Sequence, residues 1–393
     1  MKICAIICEY NPLHNGHIHQ MQKARKLSGC DAILCIMSGN FVQRAKAAIA
    51  DKYTRAAWAV KHGADIVIEL PTVFAVSTAD NFARGAVKML SEIKEVTHLS
   101  FGCEADKPNN ISKVADILSK KDFAPYFRKH IDKGVSYANA VSLAMLEYDC
   151  KLANILDTPN NMLGLHYISA IKEYSSNIIP LPVKRVGCSH NDTILSSCEF
   201  SSATAIRKAI INSVANPVIN INDLYRAAPQ GIIDTLLLPA PFPNQLKYDA
   251  IATHALRMIS IDNASSLQSV SEGLHHKLLK NALKYNTVHE VVIETKSKRY
   301  THSRISRIIL ESILGITKDV VANSLSVPPY YRVLAVSNKK LLKIIPKSLI
   351  VKNSDFKNLT HPALQIDKTA CTLYTNLTGC NNGAFYSNIN ISP

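Results

Sequence analysis

Glu9-Tyr10-Asn11-Pro12-Leu13-His14-Asn15-Gly16-His17 places two histidines and a glycine at the junction of a first strand and a first helix. The preceding run Ile3-Cys4-Ala5-Ile6-Ile7-Cys8 is almost wholly apolar, as in a strand covered on both faces. Asn11-Pro12 ends it, because proline fixes its own φ and pushes the residue before it away from helix. From Gly16 onward, Ile18, Met21, Ala24 and Leu27 follow helical spacing, so His14 and His17 flank the helix start. Unpaired N–H groups and the positive end of the helix dipole gather there, which favours an anion. Gly16 lets a base or sugar approach the backbone, and imidazole donors stabilise charge developing on a phosphate as pyrophosphate leaves. The stretch predicts a nucleotide site.

Strand-like and helix-like segments alternate through the first half. Residues 31–37, 64–70 and 96–101 read as strands, with helices over 51–62 and 78–93. Such alternation predicts an α/β fold with a Rossmann-like parallel sheet and ligands over the carboxyl ends of its strands. Ser38-Gly39, Leu70-Pro71 and Gly102 follow strands and are expected to ring the crevice beside His14. Residues 105–150 read as a helical insertion, Asn160-Asn161 precede another helix, and residues 182–186 form a late strand. In Phe200-Ser201-Ser202-Ala203-Thr204-Ala205-Ile206-Arg207, hydroxyls suit an N-cap and Arg207 follows within the first turns, a second place for phosphate oxygens.

With 393 residues and a net charge of +15, the chain has room for two domains and a charge balance suited to a polyanion such as nucleic acid. Its cysteines, at 4, 8, 30, 35, 103, 150, 188, 198, 371 and 380, form no C-x-x-C pair, and several lie in apolar runs. They read as reduced core thiols of a cytoplasmic protein; only distant positions remain for a zinc site, and no metal-ligand cluster is expected. Glu9 and Asn11 interrupt any signal-peptide core, and no apolar stretch of about 18 residues predicts a membrane span.

The second half reads as mainly helical, with helices over 271–285 and 303–314 and short strands over 290–295 and 332–336. Lys296, Lys298, Arg299, Arg304 and Arg307 lie in a stretch without an acid, with Tyr300 and His302 interleaved for stacking or sugar contacts. Lys339, Lys340, Lys343 and Lys347 read as a solvated face. Proline-rich residues 229–243 mark a boundary between 215 and 245. The expected domains are a nucleotide-binding one over 1–225 and a mainly helical basic one over 226–393.

The His14-Asn15-Gly16-His17 quartet resembles the HxGH signature of nucleotidyltransferases and class I aminoacyl-tRNA synthetases. More of the chain is similar to the bacterial tRNA(Met) cytidine acetate ligase family: EYNPLHNGH from residue 9, MSGNFVQR at 37–44, DKYTRA at 51–56, GADIVIELP at 63–71 and LSFGCE at 99–104. The likeness continues in PNNMLG at 159–164, VKRVG at 183–187, SSATAIR at 201–207, KRYTHSRISR at 298–307 and PPYYRVL at 328–334. It implies that ATP and acetate form acetyl-adenylate, and that the acetyl group passes to N4 of the wobble cytidine of elongator tRNA(Met). The nucleotide would then lie along Ile7, Cys8, Glu9, Tyr10, Asn11, Pro12, Leu13, His14, Asn15, Gly16, His17, Ile18, His19 and Gln20, and against Gly102, Asn160 or Asn161, and Arg185. By the same resemblance His14 and His17 serve adenylyl transfer, Ser202, Thr204 and Arg207 support phosphate, and the cations of 296–307 meet tRNA. Mg²⁺ is expected to accompany ATP.

The chain departs from that pattern after Gln43-Arg44, where Ala45-Lys46-Ala47-Ala48 stands in place of Gly-Glu-Pro-Ala. Turn-forming residues are lost and one charge is reversed. Two other readings stay open: an adenylyltransferase acting on a different small phosphate or carboxylate, and a catalytically weakened tRNA-binding relic.

Overall fold

A computed structural model describes residues 1–105, 110–135, 137–185, 195, 200–215, 221–238, 242–297, 299–346, 349–350, 353–380 and 390–391. Its strands are β1 (Ile3–Cys8), β2 (Ala32–Ser38), β3 (Phe41–Val42), β4 (Lys46–Ala47), β5 (Ile66–Leu70), β6 (Val96–Cys103), β7 (Ile179–Lys184), β8 (Tyr331–Val336), β9 (Leu349–Ile350) and β10 (Asn390–Ile391). The main sheet runs β10-β8-β5-β2-β1-β6-β7, with β9 beside β8. Pairings from β5 through β7 are parallel, as alternation predicts, whereas β8 joins β5 antiparallel.

Strand β1 lies inside the sheet, and its alternating residues feed two cores. Ile3 and Ala5 pack on one face, and Cys4 and Ile6 on the other. The helices Ala79–Ser91 and Pro159–Glu173 cover the first face, and those of the 105–150 segment join the same core through Ile111, Val114, Val141 and Met145. Asn15–Ser28, Lys52–Lys61, Ala203–Ala215 and Gln230–Leu237 cover the second face. Cys4, Cys30, Cys35, Cys103 and Cys371 are buried free thiols, while Cys150 is exposed.

A third core joins the helices Gln245–Met258, Leu274–Lys284, Val288–Thr295 and His302–Leu314. The strand expected over 290–295 is therefore a helix. Thr287 caps it by accepting Glu290 N–H at 3.2 Å and donating to Glu290 Oε2 at 2.6 Å, a local closure that outweighs the strand preference of Val291 and Val292.

The chain then returns to the sheet. β8 extends it, and the helix Pro362–Thr378 packs into the first core through Ala363, Ile366, Ala370 and Tyr374. A division at 225/226 therefore does not separate the sheet from the rest. Beneath that helix, Lys52 Nζ lies 2.8 and 2.7 Å from the Glu69 carboxylate and 3.3 Å from Cys371 Sγ. Arg332 Nε sits 3.6 Å from Glu69, and Asp367 accepts Thr72 N–H at 2.7 Å.

These contacts correct the expected crevice. Arg55 donates to the carbonyls of Ser38, Gly39 and Glu9, closing the end of β2. The Cβ that a larger residue would add at Gly39 would lie 2.4 Å from Glu69 Oε1. The Asp367 contact to Thr72 likewise covers the end of β5 beside Leu70-Pro71. Of the three strand ends, Gly102 alone lines the cleft described next.

Candidate nucleotide site

The turn after β1 builds the site from its own backbone. His14 is the N-cap of the helix Asn15–Ser28, with Nδ1 accepting Gly16 N–H at 3.1 Å. His17, in the first turn, accepts His14 N–H on its own Nδ1 at 3.3 Å. The two bonds form a reciprocal cap made by histidines in place of hydroxyl and carboxylate. The rings stack at 3.7 Å between centroids, and Tyr10 packs against His17 at 4.9 Å. With Nδ1 accepting, each neutral ring carries its proton on Nε2, so both present a donor on the edge away from the cap. Gly16 is needed here because a Cβ would stand 3.0 Å from His14 Cε1.

A cleft open to solvent lies against these rings. His14, Gly16, His17, His19 and Gln20 line one wall; Gly102, Val183, Lys184 and Arg185 line another, and Phe200, Ser201 and Ser202 close the third. Arg185 is placed by its N–H, which donates to Cys103 O at 2.9 Å, and its stem lies over Gly102, where a Cβ would come within 3.3 Å of Cγ. Phe200 meets His19 edge to face at 5.8 Å. Ser202 Oγ accepts Ala205 N–H at 3.0 Å, capping the helix Ala203–Ala215 and aiming its first turn at the cleft.

Other residues expected at the nucleotide hold the walls. Asn161 is buried and accepts Glu104 N–H at 2.9 Å, while Asn160 donates to the Glu104 carboxylate, which lies 3.9 Å from Arg185 Nε. Ile7 and Cys8 belong to β1, Leu13 is fully buried, and Tyr10 OH lies 3.5 Å from Cys35 Sγ. Asn11 Oδ1 accepts Ile49 N–H at 2.8 Å, Glu9 accepts Gln43 N–H at 2.9 Å, and Asn15 donates to Arg226 O at 2.7 Å. Pro12 is buried, and Ile18 packs against the second core. Arg207 donates to Asn11 O and, at 3.1 Å, to Thr204 Oγ1, so this arginine clamps the motif loop to the Ala203–Ala215 helix. Burial lowers its pKa, and nearby Glu9 opposes that shift.

Val183, Lys184, Phe200 and Ser201 were not foreseen as site residues. Each lies within two residues of Arg185 or Ser202, so that proximity was the only signal.

The segment Ala45-Lys46-Ala47-Ala48 keeps its turn without glycine. β3 and β4 pair as a hairpin, Ala45 N–H donates to Val42 O at 2.8 Å, and Ala45 takes φ +55°, in the left-handed region. Lys46 is pushed below the usual lysine range by partial burial and by the charges of Arg207, Arg44 and Lys208.

In the basic run of the second half, the expected RNA contacts divide. Lys296 and Arg299 are exposed, Arg299 pairing with Glu272 at 2.5 Å, while Lys298 lies outside the described residues. Arg304 turns inward, donating to Ser269 O at 2.9 Å and Ser271 Oγ at 2.6 Å, with its guanidinium over Tyr300. Burial lowers the pKa of Arg307, and its buried Nε meets no hydrogen-bond partner among the described residues. Both flank Glu311, whose carboxylate accepts Ser269 N–H at 2.9 Å and is pushed up to about 7 by burial. Arg304 thus braces the 269–271 loop, because acceptors from another element meet it there, while Arg307 lies within electrostatic reach of the Glu311 carboxylate.

Among the described residues no group of three or more His, Cys, Asp or Glu gathers as for a metal, and no helix is long and apolar enough to cross a membrane.

A profile of the HIGH nucleotidyl transferase family matches residues 1–385. The tRNA(Met) cytidine acetate ligase of Caldanaerobacter subterraneus subsp. tengcongensis is 39% identical over 374 residues, covering 91% of this chain and 90% of that protein. The Clostridium novyi protein of the same name is 38% identical, covering 88% of each. A crystal structure of Thermotoga maritima TmcAL in its apo form superimposes with a TM-score of 0.89 at 28% identity over the whole of both chains. Another, bound with alpha-thio ATP, gives 0.85 at 27%, covering 98% of this chain and 97% of that one. The chain belongs to the HIGH nucleotidyl transferases and, among them, to the tRNA(Met) cytidine acetate ligase family.

Proposed function

We propose that the protein uses ATP to activate acetate and acetylates N4 of the wobble cytidine of elongator tRNA(Met), in the cytoplasm. The observation that carries this reading is the cleft itself: two histidine rings held by Nδ1 at a helix N-terminus, across from the capped start of a second helix and beside Arg185. An acetate oxygen attacks the α-phosphorus and pyrophosphate leaves. The Nε2–H groups of His14 and His17 stabilise charge gathering on the phosphate oxygens. The cytidine amine then attacks the acetyl carbon, AMP departs with the bridging oxygen, and the amine loses a proton. No enzyme nucleophile is needed, since the mixed anhydride already supplies the leaving group.

Ser202, Thr204 and Arg207 support the phosphates, Arg207 chiefly by fixing Asn11 and Thr204. Asn160 and Asn161 set the wall at Glu104 against which Arg185 lies. Mg²⁺ would accompany the triphosphate in this cleft. When bound it offsets phosphate charge. In the helical layer, Lys296 and Arg299 are the exposed cations proposed to meet tRNA.

The test incubates the protein with ATP, Mg²⁺, labelled acetate and unmodified elongator tRNA(Met), then digests the RNA for mass spectrometry. Label in N4-acetylcytidine that requires ATP and disappears in His14→Ala is the expected result. Absence of label, or label that survives His14→Ala, overturns the reading.

A further inference from the structure

The nucleotide cleft occupies one side of β1, toward β6 and β7. On the other side, directly after β2, stands the β3–β4 hairpin carrying Arg44 and Lys46. The motif loop holds it there: Glu9 takes Gln43 N–H and Asn11 takes Ile49 N–H, so the hairpin flanks the histidine motif. From above, the helix Ala203–Ala215 spans both sides, placing Ser202 at the cleft and Arg207 against Asn11, with Lys208 next along. The charges that act on Lys46 are those of Arg207, Arg44 and Lys208, all positive. Arg44, Lys46 and Lys208 are exposed and form no ion pair among the described residues. Holding like charges together costs free energy unless an anion joins them.

We propose that Arg44, Lys46 and Lys208 form a seat for backbone phosphates of the acceptor RNA, next to the adenylate-forming cleft and separate from the nucleotide's own phosphates. The inference rests on the RNA-acetylating function proposed above. Two observations favour RNA over the triphosphate as the occupant: none of these three side chains lines the cleft, and all three are solvent-exposed. Unlike Arg207, which is committed to Asn11 and Thr204, their side chains make no hydrogen bond or ion pair among the described residues. A single strand splayed over the hairpin would bring a base toward the acyl donor while its phosphodiesters neutralise the cations. Lys46, which stands where the family pattern has glutamate, adds a cation to this seat that an acid would remove.

The test uses the full chain with Arg44→Gln, Lys46→Gln and Lys208→Gln combined. Affinity for unmodified tRNA(Met) is measured over a series of KCl concentrations, and acetate-dependent ATP–pyrophosphate exchange is measured without RNA. At about 0.7 per single-strand phosphate contact, the log–log salt slope should fall by about 2, with affinity down at least tenfold at low salt and exchange unchanged. If the triple variant fails to fold, Lys46→Arg should keep wild-type affinity, Lys46→Gln should lose a fewfold and Lys46→Glu more. Unchanged affinity and slope overturn the proposal, as does lost exchange with intact RNA binding, which would assign these cations to the nucleotide. A wild-type protein that binds tRNA(Met) with this hairpin dependence but makes no acetylcytidine would sink the proposed function while leaving the seat standing. Normal acetylation by the triple variant would do the reverse.

Discussion

Two groups of cations in this molecule lie in opposite surroundings. Around the hairpin, Arg44, Lys46 and Lys208 have no acid paired with them among the described residues. Along residues 296–307, where no acid occurs locally, Arg299 pairs with Glu272, and Arg304 and Arg307 are drawn inward around Glu311. A run without acids is thus no measure of available charge. Partners arrive from other elements, and burial decides which cations stay outside. Function concentrates where the fold leaves charge unmatched or donors aimed, and stability where it matches them.

His14→Asn gives the largest expected effect on the functional side of this contrast. Asparagine still caps a helix, so the fold should hold, while the Nε2–H donor facing the cleft is lost. Acetate-dependent pyrophosphate release should drop by about 10³-fold, equivalent to about 4 kcal/mol, with tRNA affinity unchanged. Should release persist at wild-type rate, the ring would be only a cap.

The matched side is sharpened by Glu69→Gln. Lys52 and Arg332 are buried and share this carboxylate, so neutralising it strands two cations beneath the Pro362–Thr378 helix. Breaking a buried pair in this way costs about 3 kcal/mol or more, to be read from the urea midpoint. A loss below about 1 kcal/mol would mean that Asp367 compensates the pair.

Much of the cleft was legible because it is local. The strand, the Asn-Pro break, the two histidines and the helix start occupy residues 3–28, and capping within that stretch brings the two rings together. The Ser202 cap was readable for the same reason. What sequence could not reveal depends on distant partners. Arg304 finds its acceptors 35 and 33 residues away, and Asp367 meets Thr72 across 295 positions, closing a strand end that otherwise resembles an open crevice. β8 also escaped assignment to the sheet, since an antiparallel pairing with β5 leaves no local signal.

Glu311→Gln tests matching through pH. The carboxyl of Glu311 stands at about 7 in the fold against an ordinary 4.5, raised by burial. The folded state therefore holds its proton where the unfolded chain has lost it. Stability contributed by this group is full below about pH 4.5 and drains as pH rises through about 7. The wild-type protein should lose roughly 2–3 kcal/mol relative to Glu311→Gln between pH 5 and pH 8, measured by urea unfolding at each pH. Parallel curves for the two proteins would show that Arg304 and Arg307 already compensate the charge.

Arg304→Ala carries the smallest effect and cuts most directly between the two groups. Its bonds to Ser269 O and Ser271 Oγ are internal, so the cost should be about 1 kcal/mol of stability. The salt slope of tRNA binding should not move, in contrast to the fall of about 2 expected from the hairpin variant. A slope that drops by about 0.7 at unchanged stability would reverse the assignment. Arg304 would then leave the 269–271 loop when RNA binds, and the internal bonds seen here would be a resting arrangement that RNA phosphate outcompetes. The contrast between the groups would become one of switchable against permanent exposure, and Arg304 would join Lys296 and Arg299 in the RNA surface of the helical layer.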